Sequence, residues 1–143
     1  MDIQEVSDKN ISILIPQKPP FVMVGKVLAS DEVSTETNFV IEEDNIFVRD
    51  GFLREPGLIE NIAQTLAVRG GIMHMIEKKE VPLGMIGSIK NLHIYKLPAV
   101  GSVIKTRINI ENEILMATLI RGQITQEGEL LAECEMKIFV KND

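Results

Sequence analysis

The sequence predicts an α+β domain in which one long, buried helix lies across an antiparallel sheet. Two observations carry this. From Pro56 to about Ile76 the chain is apolar at almost every helical position, and only Glu60 and Arg69 interrupt it with charge. A helix that is apolar nearly all round belongs in a core. After Pro82 the pattern changes to period two almost to the C-terminus, the signature of strands with one covered face. At 143 residues, 45% of them hydrophobic and 25% charged, the chain is globular and of single-domain length, so residues 1–143 are read as one domain.

The elements follow in order. Ser7 to Ile15 reads as a short amphipathic helix, stopped by Pro16 and the stiff Lys18-Pro19-Pro20 turn. Phe21 to Ser30 alternates and is rich in valine, which predicts a strand. Val33 to Ile41 is its hairpin partner across Ser30-Asp31-Glu32. Ile46-Phe47-Val48 is a short extended piece closed by Asp50-Gly51. The long helix then spans about Pro56 to Lys78, with proline well placed in the first turn. Met85 to Lys96 is one strand. Val103 to Glu111 and Ile114 to Thr125 form a hairpin across Asn112-Glu113. In the last strand, Leu130 to Val140, the residues Leu130, Ala132, Cys134, Met136, Ile138 and Val140 take one face. Glu133, Glu135 and Lys137 take the other.

Composition excludes several function classes. Net charge is −6 and no basic stripe offsets it, which argues against a nucleic-acid partner. A single cysteine gives neither a disulfide framework nor a zinc signature. No apolar stretch reaches the roughly 20 residues that span a bilayer, and the acidic Met1-Asp2-Ile3-Gln4-Glu5 start is unlike a signal peptide. A cytoplasmic protein, not bound to membrane, is expected.

An ionised group inside a buried helix is costly unless it is paired or functional. Glu60 therefore stands out, either as an acid–base group or as a carboxylate paired with Arg69, Arg54 or a lysine of another subunit. Gln64 is one turn on and displaced by about 40° around the helix, close enough to orient Glu60 or to meet a ligand. Asn61 points roughly 100° away from Glu60 and is expected to cap or pack elsewhere. His74 shares the face of Glu60 but lies about 21 Å along the axis, too far for one site. His93 sits mid-strand; as a base it would have to approach a partner subunit's site, and it reads first as a surface or satisfied histidine. Asp50, with Arg49 beside it, would as a base give a two-carboxylate site, and reads first as an Asp-Gly turn. Cys134 alternates with core residues and reads as packing. Lys78, Lys79, Lys90 and Lys96 suggest either a basic patch for an acidic carrier protein or a solvated helix end.

Four stretches resemble a known family. Leu14-Ile15-Pro16-Gln17-Lys18-Pro19-Pro20-Phe21-Val22-Met23-Val24 is similar to the Leu-Pro-His-Arg-x-Pro-Phe-Leu-Leu-Val opening of the FabZ-type 3-hydroxyacyl-carrier-protein dehydratases. Pro56-Gly57 followed by Glu60-Asn61-Ile62-Ala63-Gln64 resembles their Pro-Gly and Glu-x-x-Ala-Gln words. Gly87-Ser88-Ile89-Lys90 and Pro98-Ala99-Val100-Gly101 resemble a later strand and its turn. Within that family the resemblance is nearest to the divergent dehydratase-like proteins of aryl-polyene clusters.

The resemblance implies the hot-dog fold, a homodimer or higher assembly, and a 3-hydroxyacyl thioester of acyl carrier protein as ligand in fatty-acid or polyene-type biosynthesis. It implies catalytic roles for Glu60 and Gln64, and substrate binding at Gly57 and Leu58, whose helix-start amides would hold the thioester carbonyl. No cofactor or metal is implied. The family's base is a histidine in a Gly-His-Phe-Pro-Gly loop ahead of the helix. Here that loop reads Ile46-Phe47-Val48-Arg49-Asp50-Gly51-Phe52-Leu53, without histidine, and the Pro-Gly to Glu spacing is about two residues shorter. The opening histidine is Gln17 as well. Three functions follow as expectations: a dehydratase with Glu60 as acid, a non-catalytic subunit that binds carrier protein or completes a His-bearing homologue's site as a heterodimer, or an acyl thioesterase in which Glu60 activates water.

Overall fold

The computed structural model describes residues 11–77 and 83–141. A single 3-10 turn, Ile11–Ile13, precedes strand β1 (Lys26–Ser30) and β2 (Ser34–Val40). A two-residue hairpin follows, β3 (Val48–Arg49) with β4 (Phe52–Leu53), then helix α1 (Glu55–Glu77). Four long strands complete the chain: β5 (Leu83–Ile94), β6 (Val103–Ile114), β7 (Ala117–Gln126) and β8 (Glu129–Lys141).

The main sheet has the order β1-β2-β6-β7-β8-β5, and every neighbouring pair is antiparallel. Helix α1 lies on its inner face. Ile62 and Leu58 of the helix pack with Ile104 and Ile108 of β6, Ile120 and Ile124 of β7, and the β8 row Ala132, Cys134, Met136 and Ile138. The outward residues of β8, Glu133, Glu135 and Lys137, stay partly exposed, as the alternation predicts. Burying a residue such as Ile62 removes it from water almost completely, and truncating it to alanine would cost about 2–5 kcal/mol. One long helix wrapped by an antiparallel sheet is the architecture the sequence predicts.

A second, smaller core covers the other side of the helix. Leu14, Ile15, Val24 and Val27 pack there against Val68 and Ile72. The approach is close enough to require glycine at position 71, because a β-carbon there would meet the Leu14 carbonyl oxygen at 2.1 Å and its carbon at 2.8 Å. Helix propensity alone would make Gly71→Ala stabilising by about 1 kcal/mol. Both sides of this contact are backbone, so the clash is expected to win. Gly71→Ala should lower stability by about 1–3 kcal/mol, seen as a lower urea midpoint. A raised midpoint would show that the Leu14 segment is not held against the helix.

Several boundaries differ from expectation, each for a local reason. Of the predicted helix Ser7–Ile15, the part after residue 10 is one 3-10 turn, and the rest lies outside the described residues, as does the predicted end at Lys78. The first strand begins at Lys26, not Phe21, because backbone groups at Phe21 and Met23 bond to side chains of α1. The Ile46 region folds as the β3–β4 hairpin, with Asp50 (φ 55°) and Gly51 (φ 83°) as its two-residue turn, the conformation that Asp-Gly favours. The β6–β7 turn falls at Leu115-Met116 rather than Asn112-Glu113. A register shift between Ile110 and Asn112 carries the pairing on to Ile114 and Ala117, and Leu115 makes the turn at φ 52°.

Candidate functional site

The site is built around the first two turns of α1. Arg54 ends the β4 connection, and its carbonyl accepts from the N–H of Gly57 at 2.9 Å and of Leu58 at 3.3 Å. Gly57 and Leu58 sit at the helix start as expected, and within this chain both amides donate to Arg54 O. Gly57 also serves packing, since a β-carbon there would lie 2.7 Å from Leu53 Cδ1 and 3.0 Å from Phe47 Cβ. It lets the β3–β4 hairpin close against the helix.

One and two turns further on, Asn61 and Gln64 are fully buried and Glu60 is half-buried. The Gln64 side chain makes three bonds. Its Oε1 accepts from Met23 N–H at 2.7 Å, and its Nε2 donates to Phe21 O at 2.8 Å and to Glu60 Oε2 at 2.9 Å. The partners determine the amide's orientation, because Met23 N–H can only donate and Phe21 C=O can only accept. Both Nε2 hydrogens are thereby used, one of them on Glu60 Oε2. Glu60 Oε2 therefore accepts from Gln64, which fixes the orientation of the carboxyl group and leaves Oε1 as the oxygen outside this bond.

Asn61 braces the same segment from the other side. Its Nδ2 donates to Met23 O at 2.7 Å, and its Oδ1 accepts a short bond from the Thr106 hydroxyl of β6. Thr65 adds a bond to Asn61 O at 2.8 Å and meets Thr37 of β2 at 2.9 Å. Sequence reasoning sent Asn61 elsewhere to pack, which is where it points. The bracing of Met23 was missed, and its only signal was a second amide beside Glu60.

The basic groups considered as structural partners for Glu60 are engaged with other groups. Arg54 pairs with Glu55 at 3.3 Å. Arg69, almost wholly buried, donates to the carbonyls of Asp31 at 2.6 Å and Ser34 at 3.1 Å, and so ties the β1–β2 turn to the helix.

Candidate bases are also placed elsewhere. His93 is exposed on β5 and stacks on Tyr95 with ring centroids 6.1 Å apart. The Tyr95 hydroxyl donates to Glu133 at 2.9 Å, and that bond, with burial and the carboxylate's charge, holds the phenol above its usual range. Asp50 and Arg49 are exposed at the hairpin turn. Cys134 is buried, and desolvation, then the Glu135 charge, pushes its thiol up to about 11, so it is no nucleophile. Among the described residues no group of His, Cys, Asp and Glu is arranged to hold a metal ion, and no described helix is long and apolar enough to cross a membrane.

Two concavities open on the surface. One, of about 540 Å³, lies between the helix start and the end of β5 and is lined by Glu55, Leu92, Ile94, Tyr95, Lys96 and Leu97. The other, of about 660 Å³, is apolar and lies at the far corner, among Met85, Phe139 and the β6–β7 turn. Glu60 lines neither.

A family model described as ApeP-like, ApeP dehydratase, matches residues 9–143. No curated protein sequence matches the chain. Among solved structures the chain is similar to the dehydratase heterocomplex ApeI:P from Xenorhabdus doucetiae, with a TM-score of 0.87 and 20% identity over 94% of this chain and 93% of that one. It is similar to the uncharacterized protein PH1136 from Pyrococcus horikoshii (TM-score 0.69, 15% identity, 94% and 96% covered). It also resembles the E. coli PaaI protein from the phenylacetic acid degradation operon (TM-score 0.64, 7% identity, 79% and 80% covered). These likenesses establish the hot-dog fold.

Proposed function

The chain belongs to the ApeP-like dehydratase family, and from that premise we propose that it is the acid-bearing subunit of a two-subunit dehydratase for 3-hydroxyacyl thioesters of acyl carrier protein. The observation that carries this reading is the Gln64-oriented Glu60, a half-buried carboxyl held through Oε2, in a chain whose loop before the helix carries no histidine.

Dehydration needs two proton transfers. A base takes the proton from the α-carbon, and the C–H electron pair becomes the double bond to the β-carbon. The β-carbon–oxygen pair leaves with the hydroxyl, which takes the proton from Glu60 Oε1, so water departs and Glu60 is left as carboxylate. This chain supplies the acid. The base comes from the second subunit, a hot-dog homologue that retains the loop histidine.

Two further features support an assembled site. Proton transfer is efficient where water is excluded, yet Glu60 is only half-buried and lines neither of the two concavities described above. Strand β5, 12 residues long, forms one edge of the sheet, and a long open edge invites a second subunit. The solved structure most like this chain among those described above is itself called a dehydratase heterocomplex.

The test is an assay on 3-hydroxyacyl carrier protein with this chain alone, the His-bearing homologue alone, and both together. Turnover far above the sum of the separate rates is expected on mixing. Full dehydration by this chain alone would overturn the two-subunit reading. Release of free carrier thiol without loss of water would instead identify a thioesterase.

A further inference from the structure

Phe21 stands out beside the acid. Its ring is 58% exposed, although its backbone is held on both sides: the N–H donates to Lys18 O at 2.9 Å and the C=O accepts from Gln64 at 2.8 Å. Two residues on, Met23 is clamped at both its N–H and its C=O by Gln64 and Asn61. An exposed aromatic on a mobile loop would call for no explanation. Here an apolar ring stands in solvent on backbone that three side-chain bonds pin to the helix.

The same bonds fix where the Phe21 backbone lies. Phe21 O and Glu60 Oε2 share one nitrogen, Gln64 Nε2, so the two oxygens lie within two hydrogen-bond lengths of each other. A substrate whose β-hydroxyl meets Glu60 is therefore held next to the Phe21 backbone, within reach of its exposed side chain. Among the described residues, Phe21 is the large exposed apolar side chain tied to the acid by a shared hydrogen-bond partner.

We propose that Phe21 is a specificity-determining residue: its ring contacts the acyl chain beyond the β-carbon and favours long apolar chains over short ones. This rests on the assignment of Glu60 as the acid. The physical basis is apolar area. A phenyl face covers several methylenes of a long chain and none of a chain that ends one carbon past the hydroxyl. Differences of this kind are worth about 10- to 200-fold in discrimination between substrates.

The test uses this chain with its His-bearing partner and two substrates, 3-hydroxydecanoyl and 3-hydroxybutyryl carrier protein. Phe21→Ala should lower kcat/KM on the long substrate on the order of tenfold more than on the short one, with melting temperature and assembly unchanged. Phe21→Leu should recover most of the difference. Equal loss on both substrates, or loss of assembly, would show that the ring serves packing or subunit contact and would overturn the proposal. Glu60→Gln is run in parallel. If it keeps full turnover, the acid assignment fails. If it abolishes turnover while Phe21→Ala leaves the substrate ratio unchanged, only the role of Phe21 fails.

Discussion

Glu60→Gln should reduce dehydration by the mixed subunits roughly 100- to 10,000-fold, the range over which a positioned general acid contributes, while leaving the fold intact. The substitution suits the geometry. An amide at position 60 can turn its oxygen toward Gln64 Nε2 and so preserve the 2.9 Å bond. What it loses is an acidic proton at the position of Oε1. The measurement is kcat on 3-hydroxyacyl carrier protein, with thermal melting and assembly checked on the same samples. Unchanged kcat would place both proton transfers in the other subunit and leave this chain a binding partner. If the variant instead lost thiol release, Glu60 would be the group that activates water, and the reaction would be thioester hydrolysis.

The reach of the sequence can be judged residue by residue. The helix was legible because 23 residues with so few charges have no stable place except a core, and β8 because its alternation runs unbroken from Ala132 to Ile138. The i, i+4 spacing of Glu60 and Gln64 predicts the bond they make. Such patterns are local, and local periodicity survives folding unaltered. Two misreadings share a different cause. Phe21 to Gly25 alternates like a strand, yet its polar backbone groups are satisfied by Gln64 and Asn61, some 40 residues away in sequence. Asn112-Glu113 has turn composition, but the register shift in β6 moves the turn to an apolar tip. In each case the deciding partner is either distant or a matter of backbone detail that composition does not encode.

Gln64 and Asn61 make the sharpest comparison, because both brace Met23 and only Gln64 touches the acid. Gln64→Leu would strand the buried Met23 N–H and the Phe21 carbonyl. At about 1–3 kcal/mol for each such group left unpaired, a total loss of about 2–6 kcal/mol is expected. Asn61→Leu strands the Met23 carbonyl and the Thr106 hydroxyl and should cost a similar amount. Their effects on the reaction should separate. Without Gln64 the Glu60 carboxyl is free to rotate, and misplacement of a reacting group by about 1 Å can cost on the order of 100-fold. Gln64→Leu should therefore lower kcat by roughly 10- to 100-fold with little change in KM, measured well below the melting transition of both variants. Asn61→Leu leaves the Gln64–Glu60 bond in place and should keep kcat within a few-fold of the parent at the same temperature. Equal losses of kcat in the two variants would mean that Gln64 acts through stability alone. A loss of kcat confined to Gln64→Leu on both long and short substrates would make it the residue that aims the Glu60 proton. Of two changes of matched structural cost only this one frees the acid, and the Phe21 carbonyl it also frees bears on chain length.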